Sequence, residues 1–284
     1  MIPGVAASFV RPELLADVGW LASHASRSGV RVVDCRWRPV SGGWKQHALG
    51  HVLGASYLDW GTDLVDSEDP IPLQLAGPER FAAAMERAGI GDGMTVVLYD
   101  DAAASHAARV WWSLLAYGFQ SVRILDGGWN AWRASGRPVS TAQPPVEAGH
   151  FTPRVDPRRR LSATDVVAML DSESVRIVDA RSPADFAGQQ STSIRLGHVP
   201  GAVNVPAPLL TNPESGTFAR ADDVNRVFAT AGLSRDRRIV VYDSTGVAAS
   251  KVAFVLALQG FDDVAVYDAG WAEWGARADL PIER

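Results

Sequence analysis

Four short blocks of this 284-residue chain recur, in the same order, about half a chain later. Val32-Val33-Asp34-Cys35-Arg36 returns as Ile177-Val178-Asp179-Ala180-Arg181. Gly50-His51-Val52-Leu53-Gly54-Ala55 returns as Gly197-His198-Val199-Pro200-Gly201-Ala202. Val97-Leu98-Tyr99-Asp100 returns as Val240-Val241-Tyr242-Asp243. Leu125-Asp126-Gly127-Gly128-Trp129-Asn130-Ala131-Trp132 returns as Tyr267-Asp268-Ala269-Gly270-Trp271-Ala272-Glu273-Trp274. The period is far longer than that of a solenoid, so the chain is a duplicated domain. Its length is ordinary for two domains. The first copy is expected over 5–140 and the second over 161–284. The stretch from Ser140 to Arg160 is rich in proline, alanine and charge, and marks the boundary. Pro144, Pro145, Pro153 and Pro157 are expected to keep it extended and semi-rigid.

Within each copy the patterns alternate. Val175 to Asp179 and Ile239 to Tyr242 are apolar, β-branched runs and read as buried strands. Ser162 to Leu170 reads as a helix with Ser162 as its N-cap; Asp222 to Ala231 and Ala248 to Gln259 read as further helices. Strand-helix alternation implies an α/β fold, with a mostly parallel sheet flanked by helices in each domain. Ligands of such sheets bind where strands end and helices begin.

Composition narrows the function. Hydrophobic residues are 47% and charged residues 21%, a globular balance, and ten tryptophans point to well-filled cores. The net charge of −5 leaves no electrostatic footprint for nucleic acid. The basic run Arg158-Arg159-Arg160 sits beside Asp156 and Pro157 and reads as a solvated linker. One cysteine, Cys35, excludes an intrachain disulfide and a cysteine metal cluster. The six histidines show no paired ligand spacing, so neither metal nor other cofactor is expected. Met1 to Trp20 lacks a basic region followed by an apolar core, and no apolar run reaches membrane-spanning length. A cytoplasmic protein without membrane partners is expected. The sequence does not set its oligomeric state.

The segment best placed for chemistry is Asp243-Ser244-Thr245-Gly246-Val247-Ala248, between the strand ending at Tyr242 and a helix. A short glycine-containing turn there can aim several backbone N–H groups inward, and the helix dipole adds to them, making an anion cradle. An ordinary strand-to-helix turn is the bland alternative.

Together, Val178 to Ser182, Gly197 to Ala202, Val240 to Gly246 and Gly270 to Trp274 resemble the tandem-domain rhodaneses, the thiosulfate and 3-mercaptopyruvate sulfurtransferases. The resemblance covers essentially the whole chain and implies two tandem rhodanese-like domains. It also implies a cysteine, persulfidated in catalysis, at the first position of the second-domain loop. Here that position is Asp243, and its counterpart in the first copy is Asp100. A carboxylate cannot carry a transferable sulfur as a thiolate does. Cys35 aligns with Ala180, outside the loop, and reads as a small buried hydrophobe. Arg181, repeated as Arg36, reads as a structural ion pair. Family members often place a second arginine four residues further on; here it is Asp185. Arg195 resembles the remaining family arginine, with ligand and surface roles equally open. Trp37 resembles an aromatic close to the family pocket, with plain packing as the alternative. Lys251 reads as a solvated helical lysine.

Three roles for Asp243 stay open at this point. Its carboxylate could plug the cradle by accepting the loop amides. It could join Ser244, Thr245 and Asp185 in accepting from a neutral or cationic small molecule. It could be a catalytic carboxylate, although nothing in the sequence supplies the metal such chemistry usually needs. A Ser244 or Thr245 nucleophile would need a base. His198 is the candidate, but His51 repeats it, which favours a structural turn. The plug is favoured. The function expected is a rhodanese-family protein without ordinary persulfide transfer, acting as a binding or regulatory module with a small-molecule partner in the second-domain loop. The alternative is a sulfurtransferase-family enzyme with altered or residual chemistry in the same pocket.

Overall fold

A computed structural model describes residues 8–143 and 146–284. Val5, and Pro144 and Pro145 of the boundary, lie outside the described residues. Two compact units are present. One holds 13–157 with 213–217, and the other holds 158–212 and 218–284 together with residues 8–12. Arg11 N–H donates to the Leu258 carbonyl (3.0 Å), and its side chain pairs with Asp262, which ties this segment to the second unit.

The first unit contains strands β1 (Leu15–Ala16), β2 (Val30–Asp34), β3 (Ser56–Tyr57), β4 (Thr95–Tyr99) and β5 (Val122–Leu125). The second contains β6 (Arg160–Leu161), β7 (Val175–Asp179), β8 (Val203–Asn204), β9 (Arg238–Tyr242) and β10 (Val264–Tyr267). The first sheet runs β1-β5-β4-β2-β3 and the second β6-β10-β9-β7-β8, all parallel. The duplication read from the sequence is thus the same topology built twice. The central strands β4 and β9 are buried over most of their length, as strands covered on both faces should be.

The second core gathers Ile177, Val240, Tyr242, Ala265, Trp271 and Trp274, and the first uses Val32, Val97, Tyr99, Trp129 and Trp132 from matching places. The helix Ala163–Val167 starts with a capping box: Ser162 caps it and Asp165 reaches back to the Ser162 N–H. It ends before the expected Leu170. The Arg158-Arg159-Arg160 run is not a solvated linker. Arg160 opens β6 and pairs with the buried Asp268 at 3.1 Å, and Arg159 donates to the Asp262 and Val264 carbonyls.

At the C-terminal edge of each sheet a buried acid is tied to the next-but-one arginine. Arg181 Nε donates to both oxygens of Asp179 (3.0 Å each), and Nη2 donates to Asp179 Oδ2 (2.5 Å) and to the Gly197 carbonyl (2.9 Å). The Tyr242 hydroxyl donates to Asp179 Oδ2 at 2.5 Å and accepts from the Val199 N–H at 3.0 Å. In the first unit Arg36 holds Asp34 and the Gly50 carbonyl in the same way, and His47 Nδ1 adds a contact to Asp34 at 2.9 Å. Burial works to raise the Asp34 carboxyl, but the His47 and Arg36 bonds override it and hold the acid below its usual range. This is why the Val-Asp-X-Arg and Gly-His blocks repeat together: one arginine ties the strand end to the turn that begins the other block.

Candidate functional site

The loop after β9 meets the helix Val247–Leu258, whose start is set by Gly246 at φ +82°. Glycine adopts that left-handed conformation without a Cβ penalty. Asp243 is 6% exposed and turns its carboxylate inward. Oδ2 accepts from the Ala248 N–H (3.2 Å) and Oδ1 from the Ala249 N–H (3.3 Å), two of the orphan donors at the start of the helix. The carboxylate therefore sits where an anionic ligand of the cradle would sit.

The first-domain loop does the same more tightly. Asp100 accepts from Ala102 (2.9 Å) and Ala104 (3.0 Å) through Oδ1, and from His106 and Ala107 (2.8 Å each) through Oδ2. Its helix begins five residues after the acid, against four in the second domain, and Ala103 and Ala104 take positive φ values of 49° and 65°. Two non-glycine residues in that region store strain, which the four hydrogen bonds offset.

A Gly-Trp pair fixes the main chain of each loop. The Trp271 N–H donates to the Asp243 carbonyl at 2.7 Å, and the Trp129 N–H to the Asp100 carbonyl at 2.8 Å. Gly270 (φ +51°) lies so close that a Cβ there would stand 2.1 Å from the Asp243 oxygen. Gly128 (φ +54°) is placed alike, 2.2 Å from the Asp100 oxygen. The repeated Gly-Trp block was visible in the sequence, but its role as a clamp on the loop was not.

The other expected site residues scatter around this centre. Thr245, Gly246 and Val247 form the loop and the first helical position. Ser244 Oγ shares a hydrogen bond with Thr192 Oγ1 (3.1 Å), a contact no sequence signal indicated. Asp185 lies in the first turn of the helix Pro183–Phe186, bonded to the Ser182 hydroxyl and to Gln190 Nε2 (3.1 Å). Arg195 is spent on main-chain carbonyls: Trp274 (2.6 Å), Leu280 (2.9 Å), Gly275 (3.3 Å) and Arg277. Nε and Nη2 cap the end of the helix Gly270–Trp274, and Nη1 ties down the chain after it at Leu280. Trp37 packs in the first domain on Trp60 (4.8 Å between rings) and His106 (6.0 Å). Lys251 is buried, not solvated, because its helix is apolar on every side; Nζ donates to Thr211 Oγ1 at 3.0 Å.

No thiol serves the loop. Cys35 is fully buried, and burial, then Asp34 and Asp100, push its pKa well above the usual value. His198 is no base for Ser244: its Nδ1 is on the Phe186 carbonyl (2.8 Å) and its ring stacks on Phe186. Among the described residues no cluster of His, Cys, Asp or Glu could hold a metal ion, and no helix is long and apolar enough to cross a membrane.

The Rhodanese-like domain family matches residues 17–135 and again 162–277. The chain belongs to the rhodanese family. Its rhodanese relatives include the 3-mercaptopyruvate sulfurtransferase of Escherichia coli, 33% identical over 93% of this chain and 95% of that protein. The sulfur carrier protein TtuD of Thermus thermophilus is 32% identical over 97% and 98%. The thiosulfate sulfurtransferase of Corynebacterium glutamicum is 32% identical over 97% and 92%. Among solved structures, the Escherichia coli 3-mercaptopyruvate sulfurtransferase SseA superimposes with a TM-score of 0.83 at 30% identity, covering 91% of this chain and 98% of that one. The α/β fold with two tandem rhodanese domains is therefore established.

Burial is the largest influence on Asp243 and raises its pKa; the amides of Ala249, Ala248, Gly246 and Thr245 pull it down, and burial wins. A folded-state value above the unfolded one means that Asp243 favours folding most below the ordinary carboxyl range, and that this benefit is lost as pH rises through the folded value. The thermal midpoint of the wild type, relative to Asp243→Asn, is therefore higher at about pH 4 than at about pH 7. Melting curves of both proteins across that range check this. An advantage that grows with pH would contradict it.

Proposed function

We propose that this rhodanese-family chain has given up persulfide transfer and acts as a binding or regulatory module. The observation that carries the reading is the Asp243 carboxylate seated on the Ala248 and Ala249 amides of the second-domain loop. The resemblance puts a cysteine at that position. A carboxylate there offers no sulfur and fills the cradle with its own charge, which disfavours an anionic sulfur donor. The only cysteine of the chain is sealed in the first-domain core.

The test is turnover of the wild-type chain. Incubation with thiosulfate or 3-mercaptopyruvate and cyanide yields thiocyanate no faster than buffer. Turnover that persists in Cys35→Ala and disappears in Asp243→Asn would overturn the reading in favour of altered chemistry in the same pocket.

A further inference from the structure

The residue after the buried acid is tied down differently in the two copies. In the first domain it is Asp101. Arg38, from the connection between the Asp-X-Arg and Gly-His blocks, holds it through a two-pronged ion pair (3.0 and 2.7 Å). In the second domain it is Ser244, and the matching connection holds it by one hydroxyl-to-hydroxyl bond, shared with Thr192 Oγ1 at 3.1 Å. That connection is also longer: Arg181 and Gly197 lie 16 positions apart, against 14 for Arg36 and Gly50.

The longer connection forms an Ω-loop with a fixed base and a lightly held tip. At the base Gly188 (φ +65°) meets Gly197, and a Cβ on Gly188 would stand 3.1 Å from the Gly197 nitrogen. The Gln189 N–H donates to the Ala184 carbonyl (2.9 Å) and the Arg195 N–H to the Gly275 carbonyl (3.1 Å), and the Arg195 guanidinium anchors that end further. Between these points residues 190–194 make no main-chain hydrogen bond to another element among the described residues. Side chains tie the tip down instead. Gln190 Nε2 donates to Asp185 (3.1 Å), Ser191 Oγ accepts from Trp271 Nε1 (2.9 Å), and Thr192 meets Ser244. Gln190 and Thr192 are exposed, and Ile194 is 84% exposed. A segment held by a few solvent-accessible hydrogen bonds opens locally at small free-energy cost. The two groups that the tip touches frame Asp243: Ser244 follows it in the chain, and the Trp271 N–H holds its carbonyl.

We propose that residues 190–194 are a lid on the second-domain loop. Closed, the Ser191 and Thr192 hydroxyls latch it to Trp271 and Ser244. Open, it exposes position 243 to a small molecule from solvent. The first-domain loop, latched by an ion pair, stays shut. The lid governs access to the loop and does not depend on whether the loop binds or catalyses.

The test places a reporter thiol in the loop as Asp243→Cys and follows its alkylation by iodoacetamide, the buried Cys35 remaining silent. Ser191→Ala together with Thr192→Val removes both latches and raises the rate about tenfold. The gain persists on the high-pH plateau of the rate, where the thiol is fully ionised, because it reflects access and not acidity. A second reading leaves Asp243 in place. The same two substitutions speed deuterium uptake at 244–250 by a similar factor and leave that of the strand Val175–Asp179 unchanged. Equal alkylation with and without the latches, or a gain that vanishes on the plateau, overturns the lid. So does uptake at 244–250 that is unchanged, or that rises only in step with Val175–Asp179, and this reading decides if the reporter variant does not fold.

Discussion

Asp243→Cys is expected to turn the chain into a working thiosulfate:cyanide sulfurtransferase. The loop does not depend on its first side chain for its shape. The Asp243 carbonyl is held by the Trp271 N–H, the Ser244 carbonyl by the Ala272 N–H at 3.0 Å, and Gly270 packs against both residues. A thiol at position 243 therefore enters a preformed cradle. The Ala248 and Ala249 amides that now serve the carboxylate would face the sulfur and favour its thiolate form against the burial of the site. Thiocyanate release is expected to rise on the order of 10²-fold above wild type, well short of an evolved nucleophile because no other group was selected alongside it. Steady-state assays of the wild type and the variant decide this. If the variant is silent, Asp185 is the next residue to change, because it puts an acid where the resemblance implies an arginine. Silence of Asp243→Cys and of its combination with Asp185→Arg would falsify the idea that the pocket is otherwise intact.

Asp179→Ala is expected to cause the largest loss of stability. Asp179 is fully buried, and it holds the Arg181 guanidinium and the Tyr242 hydroxyl together. Removing it leaves a buried cation with only the Gly197 carbonyl and the aromatic faces of Trp271 and Tyr242 as partners. Breaking a buried pair on one side costs about 3–5 kcal/mol, because the remaining charge cannot be rehydrated. For a domain of this size that lowers the thermal midpoint by roughly 10 °C. Differential scanning calorimetry measures it. A loss comparable to that of an exposed pair such as Arg226–Asp223 would mean that water reaches Arg181.

The repeat made the architecture legible. Matching blocks located the strand ends, and the β-branched run Val175 to Asp179 matches β7 residue for residue. The repeat also located Asp243 and Asp100 as counterparts, because position in a duplicated fold is conserved even when chemistry is not. What stayed hidden depends on the third dimension. Lys251 carries the signature of a surface residue, yet the helix around it has no solvent face. Arg195 looked available for a ligand; only the folded chain brings Trp274, Gly275, Arg277 and Leu280 around its guanidinium. Arg160 read as part of a linker because the buried Asp268 that pairs with it is distant in sequence.

Cys35 closes its thiol off in the first-domain core, with Sγ directed at the Val33 carbonyl. The natural chain is consequently a ready background for spectroscopy. A cysteine introduced at any exposed position is the one thiol that a maleimide dye or spin label will reach while the protein stays folded. Reporters can be placed beside either loop without first removing native sulfur.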